Sequence, residues 1–299
     1  MQYGEEDIRV EERHITSFDG TEIAYHVIGQ GPPILLANGL GGSWRAWKHQ
    51  LRFFQDRYSF ISWDYRGLYG SKAPPDRNAL DVPAQARDAL LILEKEKIER
   101  TAIFGWSMGV QVALELFRRA PERIAAMVLI NGVAGSPFKT LPSAHLGALA
   151  PSILRAAQKI PGPLSRVTGK LVTWQRTPAL AKALGIAGKT LDEKLFFEIA
   201  GTFVDLDMEI YMRTLEQLGM HDAHDVLPTI DVPLLMIAGG SDLMTPRVGA
   251  EALVNAVKGA ELLVVPGGTH YLAVEYPEVI NLRVERFFKQ RGYPGKASA

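Results

Sequence analysis

The pentapeptide Gly105-Trp106-Ser107-Met108-Gly109 constrains this chain more than any other stretch. Residues 101–104 enter it as an apolar run of the kind expected for a buried strand. Residues 110–119 leave it with the spacing of a helix. A strand that turns into a helix within so few residues leaves a serine at the apex, strained and displayed at the C-terminal edge of a sheet. Glycines at 105 and 109 fit that geometry, because a β-carbon at either position would crowd the neighbouring strand or helix. Glycine and serine are common, so the pattern alone is weak, and its strand-before, helix-after setting gives it force. A serine held this way needs a base and an acid on later loops.

The order of elements around it is that of a parallel sheet. Residues 8–16 and 22–28 alternate apolar and polar side chains about Phe18-Asp19-Gly20-Thr21, which carries the Asp-Gly signal of a hairpin. Residues 33–37 form a short apolar run, as in a strand buried on both faces, followed by a helix over about 44–55. A strand at 60–63 follows, then a helix to residue 97, with Asp81 as its N-cap and Pro83 in its first turn. Residues 124–130 read as a further strand. Alternation of strand and helix from residue 33 onward predicts a mostly parallel, doubly wound α/β sheet covered on both faces.

At Asn131 the rhythm breaks. Six prolines (137, 142, 151, 161, 163, 178) punctuate short helical pieces, and helical periodicity returns over 191–218. Strands at 233–238 and 261–265 then resume the pattern, with a helix capped by Thr245-Pro246 between them and a last helix over about 277–291. The expected organisation is a core of residues 1–135 and 226–299, interrupted by a helical cap at 136–225. Residues 295–299 read as disordered.

Composition narrows the function. Lys+Arg 33 balances Asp+Glu 33, so nothing points to nucleic acid. There is no cysteine, which removes disulfides, thiolate catalysis and cysteine-ligated metals together. The polar, acidic start of the chain is unlike a signal peptide, and no uncharged apolar run reaches the roughly 18 residues of a membrane span. The expected location is cytoplasmic.

Two late loops supply the groups that Ser107 needs. The strand at 233–238 runs into Gly239-Gly240-Ser241-Asp242, and the strand at 261–265 runs into Gly267-Gly268-Thr269-His270. His270 would take the Ser107 proton during attack and return it to the leaving group. Asp242 would fix the imidazole tautomer and stabilise the imidazolium. The bland alternatives are a turn-forming Asp242 and a surface His270, yet no other histidine follows a late strand. Asn131, just after the strand at 124–130, cannot replace a carboxylate. Asp64 and Arg66 look like a catalytic pair, though a structural role is preferred. His221-Asp222-Ala223-His224-Asp225 invites a metal reading, which histidines at i and i+3 carry only weakly, and no metal is assigned.

Taken together, these segments resemble the α/β-hydrolase family, in its capped, esterase- and lipase-like branch, over nearly all of residues 20–290. Besides the serine turn, the matching pieces are Asn38-Gly39-Leu40-Gly41, Asp64-Tyr65-Arg66-Gly67-Leu68-Tyr69-Gly70-Ser71, Gly239-Gly240-Ser241-Asp242, and His270 followed by Glu275 and Pro277. The resemblance implies a cofactor-free serine hydrolase of carboxylic esters working through an acyl-enzyme on a small-molecule ester. It also implies that the backbone N–H groups of Leu40 and Met108 form an oxyanion hole. Serine at the turn argues against the aspartate-using dehalogenases and epoxide hydrolases. Lactone opening, carbon–carbon bond hydrolysis, perhydrolysis and a ligand receptor with an idle triad stay open as alternatives. One departure is Asn38, where many relatives carry histidine.

The cap carries a charge division. From residue 139 to 189 there are eight basic residues and no acidic one; from 190 to 225 there are nine acidic and two basic. Mutual attraction of the two halves is the favoured reading, ahead of peripheral contact between the basic half and a membrane. Asn38, Trp106, Leu146, Trp174, Phe203 and Tyr271 are the candidates for an acyl-accepting pocket.

Overall fold

The computed structural model describes residues 8–140 and 144–294, except the side chains of residues 144–146 and 173. Eight strands form one sheet: β1 Val10–Thr16, β2 Glu22–Gly29, β3 Pro33–Ala37, β4 Ser59–Trp63, β5 Thr101–Trp106, β6 Ile124–Ile130, β7 Leu234–Gly239 and β8 Glu261–Val265. Their order across the sheet is β1-β2-β4-β3-β5-β6-β7-β8, with β1 and β2 antiparallel and every pair from β4 to β8 parallel. The first hairpin has the expected register, Thr16 facing Glu22, and Gly20 takes φ 84° in its turn. The central strands β5, β6 and β7 are apolar and buried nearly throughout, as helices on both faces require.

The helices are α1 Lys48–Phe54, α2 Val82–Lys95, α3 Met108–Arg119, α4 Ala144–Ala157, α5 Pro161–Thr173, α6 Thr177–Ala183, α7 Glu193–Gly201, α8 Met208–Met220, α9 Arg247–Ala256, α10 Leu272–Glu275 and α11 Pro277–Arg291. Asp81 caps α2 by accepting from the Ala84 N–H at 2.8 Å. The helix expected over 44–55 is split, because residues Trp44–Trp47 wind as a tighter 3₁₀ turn before α1. Helix α9 also begins differently. Pro246 is its N-cap and no side chain caps it, since the Thr245 hydroxyl is bonded elsewhere.

Helices α4 to α8 form the inserted cap between β6 and β7. It has two layers. Helices α7 and α8 lie on the core, against the turns at Trp44–Trp47 and Arg77–Leu80; α4 packs on α8, and α5 on both α7 and α8. Leu195, Phe196, Ile199, Ile210 and Leu218 of the inner layer are buried and continuous with the two core clusters. Arg155–Glu216 at 3.3 Å and Lys182–Glu193 at 2.5 Å cross between the basic and acidic halves. Other acids of the second half turn to the core: Glu198 meets Lys48 at 2.5 Å, Asp192 meets His49 at 3.2 Å, and Asp225 meets Arg118 at 2.5 Å. Attraction between the halves therefore accounts for only part of the charge division.

Candidate active site

Ser107 sits between β5 and α3 with φ 56° and ψ −116°, a left-handed conformation that a side-chain-bearing residue seldom adopts. Its neighbours explain how it is held. A β-carbon on Gly109 would overlap the Ala37 carbonyl, and one on Gly105 would come within 2.6 Å of the Gly109 carbonyl oxygen. The Ser107 N–H donates to the Ile130 carbonyl at 3.0 Å, fixing the turn to β6. The sheet edge thus presents a half-buried hydroxyl.

The loops after β7 and β8 bring the other two residues to it. His270 Nε2 lies 3.0 Å from Ser107 Oγ, and His270 Nδ1 lies 2.9 Å from Asp242 Oδ2. A carboxylate can only accept, so Nδ1 carries the proton and the Nε2 lone pair faces the serine hydroxyl. Burial raises the Asp242 carboxyl. The hydrogen bond and charge of His270, with hydrogen bonds from Thr245, outweigh burial and hold it below the ordinary carboxylate value. The Met244 and Thr245 N–H groups donate to Asp242 Oδ1 at 2.8 and 3.0 Å, and the Thr245 hydroxyl donates to Oδ2 at 2.7 Å. Asp242 is thereby kept ionised and correctly turned.

The loop after β3 closes the other side. Gly42 N–H donates to the Gly39 carbonyl at 2.8 Å across a turn in which Gly41 takes φ 72°. Gly39 lies against Ser107 and the Trp106 ring so closely that a β-carbon on it would be 3.4 Å from Ser107 Cβ. Leu40, the residue between, lines the cavity. Met108 begins α3, where an N–H has no intrahelical acceptor.

Above Ser107 lies a cavity of 220 Å³ whose core wall includes Leu40, Trp106 and His270 and whose cap wall includes Ile199, Phe203 and Leu218. Of the residues expected to form a pocket, Trp106, Phe203 and Tyr271 line it. Asn38 does not. It is fully buried beneath the loop, donating to Ser62 Oγ at 3.0 Å and the Trp63 carbonyl at 3.1 Å while accepting from Trp47 Nε1 at 2.9 Å. Its role is to anchor the loop. Trp174 stands off the cavity, 48% exposed, because the chain leaves α5 there in extended conformation. The Leu146 side chain lies outside the described residues.

Three residues that sequence reasoning left without a role hold this site. Asn131, at φ 45°, donates from Nδ2 to the Thr269 and His270 carbonyls at 2.7 and 3.1 Å and accepts from Gly239 N–H at 2.8 Å. It ties the two late loops together, a task a carboxylate could not perform because it has no donor. Glu275 accepts from Thr269 N–H at 2.9 Å and from Gly188 N–H at 2.6 Å, joining the histidine loop to the cap. Tyr69 has φ 51°, and its hydroxyl is bonded to the Gly41 carbonyl and lies 3.0 Å from Thr202 Oγ1. Burial pushes that hydroxyl up to about 12, so it remains a donor. A bulky residue with positive φ is a signal that could have been sought in the sequence only with its backbone known.

The remaining candidates resolve into structural roles. Arg66 is fully buried, paired with both oxygens of Asp88 at 2.7 Å and with Asp19 at 2.6 Å, so it bolts α2 to the first hairpin. Asp64 accepts from Gly70 N–H at 3.0 Å in the same loop. His221 Nδ1 faces Gln111 Oε1 at 2.7 Å, and His224 Nδ1 faces Asp222 Oδ1 at 2.8 Å. Among the described residues no three histidine, aspartate or glutamate side chains converge as a metal site would require.

Known proteins share this architecture. The chain is 25% identical to the serine hydrolase BPHL of Mus musculus, over 91% of this chain and 84% of that one. It is 23% identical to a proposed carbamate hydrolase, RutD, of Azorhizobium caulinodans, over 87% and 92% of the two chains. The solved structure of an esterase from Exiguobacterium antarcticum superposes with a TM-score of 0.77 at 22% identity, covering 93% of this chain and all of the other. A sequence profile described as alpha/beta hydrolase fold matches residues 32–277. The chain belongs to the alpha/beta hydrolase fold family.

Proposed function

We propose that this protein is a serine hydrolase of carboxylic esters that works through an acyl-enzyme without a cofactor. The observation that carries the reading is the unbroken hydrogen-bonded line Ser107 Oγ–His270–Asp242 at the floor of an apolar cavity. Ser107 Oγ attacks the ester carbonyl as His270 Nε2 takes its proton. The oxyanion so formed lies against the N–H groups of Leu40 and Met108. Stabilisation of this kind is worth about 10²–10³ in rate for each donor. His270 then gives the proton to the departing alkoxide, and water repeats the sequence on the acyl-enzyme.

The cavity bears on the acyl group. At roughly 30 Å³ for each water, 220 Å³ holds about seven waters, and its apolar lining favours a hydrocarbon chain of short to medium length. Phe203 and Leu218 on the cap wall would contact that chain. Reaction with a fluorophosphonate, followed by turnover of p-nitrophenyl esters from acetate to octanoate, tests the reading. Labelling that Ser107→Ala abolishes is expected, with kcat/KM rising beyond acetate. Absence of labelling would refute the nucleophile, and a preference for acetate would refute the acyl pocket.

A further inference from the structure

The outer layer of the cap has an arrangement that hydrolysis does not explain. Each of its helices turns an apolar pair at i and i+4 outward: Leu149 and Ile153 on α4, Val167 and Leu171 on α5, Leu180 and Leu184 at the end of α6. These six side chains are between 38% and 57% exposed. The inner layer behaves in the ordinary way, with Leu195, Phe196, Ile199, Ile210 and Leu218 buried. Helices α5 and α6 pack on each other, and exposed apolar side chains gathered on neighbouring helices mark a surface that something covers.

Charge identifies the cover. The segment from 139 to 189 has eight cations and no anion; Arg155 and Lys182 are paired with the acidic half of the cap, while Lys159, Arg166 and Arg176 are exposed beside the apolar pairs. Arg166 and Val167 are adjacent, as are Lys170 and Leu171, so on α5 the cations flank the apolar stripe. A second copy of the chain, meeting this surface by two-fold symmetry, would set cation against cation. An anionic bilayer satisfies both features, because apolar side chains enter the acyl boundary while lysine and arginine stay at the phosphate level.

We propose that the outward face of α4, α5 and α6 is a docking surface for an anionic membrane. It lies on helices that pack upon α7 and α8, so a docked cap holds the cavity beside the lipid surface without any segment entering the bilayer core. No helix among the described residues is long and apolar enough to cross a membrane.

Co-sedimentation of the full chain with vesicles tests the proposal. Binding to equal parts of phosphatidylcholine and phosphatidylglycerol should exceed binding to phosphatidylcholine alone by about tenfold or more, and should weaken as salt rises. Each basic residue near such a surface is worth about fivefold in affinity, so Arg166→Glu with Arg176→Glu should lower binding by well over tenfold. Val167→Asn with Leu171→Asn should lower it comparably while ester turnover in solution, circular dichroism and thermal midpoint stay unchanged. Emission of Trp174 should shift to the blue on vesicle binding, a change that Trp174→Phe removes. Equal binding to both vesicle types, or variants that bind like the parent, would overturn the proposal. So would lipid-free self-association that Leu171→Asn abolishes, because the cover would then be a second copy.

Discussion

The floor of the cavity consists of loops at the C-terminal edge of the sheet, and its polar side chains are held by directional bonds. Asp242 accepts from two N–H groups and a hydroxyl besides His270; Asn131 holds both late loops. The roof consists of α7, α8 and the 3₁₀ turn Thr202–Asp205 between them, and it lines the cavity with apolar side chains such as Ile199, Phe203 and Leu218. Directional bonds fix atoms to within tenths of an ångström, which attack on a carbonyl demands. Apolar contact excludes water and tolerates different occupants. The two surfaces are joined at Tyr69, which reaches Gly41 of the floor and Thr202 of the roof.

The largest effects should come from the floor. Asp242→Asn should lower kcat by about 10⁴ by leaving His270 in the wrong tautomer, as measured with a soluble p-nitrophenyl ester. Ser107→Ala should abolish turnover, and adding His270→Ala should cost little more, because groups acting as a unit are not additive. Asp225→Asn, which alters an exposed pair with Arg118, should leave kcat nearly unchanged. An equal loss at Asp225 would break the distinction between the site and its surroundings.

At the join, Tyr69→Phe removes one hydroxyl bonded to both surfaces. We expect kcat to fall by about tenfold with KM moved much less, since the loop holding Leu40 loses its brace while the apolar roof remains. A loss confined to KM would mean that Tyr69 serves the roof alone.

The hinge where α8 returns to the core should respond to acid. Burial raises Glu115, but the His221 hydrogen bond and the Arg118 and Arg119 charges outweigh it and lower its carboxyl to about 2. A depressed carboxyl gives stability that is fully present above its unfolded value of about 4.3 and is lost as pH falls through about 2. Glu115→Gln should therefore lower stability at neutral pH and flatten its pH dependence across that window, as read by denaturant unfolding. An unchanged slope would exclude Glu115 as the group that titrates.

Smallest of all should be the effect of the cap's outer layer on chemistry in solution. Leu149→Ser with Ile153→Ser alters exposed positions on α4 and should change stability by only about 0.5 kcal/mol, with no change in kcat. A large loss of turnover would show that the outer layer shapes the cavity as well as the surface.

Much of the floor was legible because it is encoded locally. The strand, the two spaced glycines and the helix that bracket Ser107 lie within twenty residues, and strand ends carry Asp242 and His270 to the same edge. The roof was less legible. The apolar residues of the cap could be found by inspection, but which of them face inward depends on how five helices stack, so Phe203 reached the cavity and Trp174 did not.

By itself the sequence determined the alternation of elements, the strained serine turn and the chain order of serine, acid and histidine, because period, turn chemistry and backbone preference act between near neighbours. The tertiary structure alone decided that Thr245 serves Asp242 instead of capping α9, that Asn38 lies beneath its loop, and that Asn131 ties two loops 108 residues or more away. A side chain with one donor or acceptor will bond to whichever complementary group packing brings within about 3 Å, and that proximity is written in the whole fold.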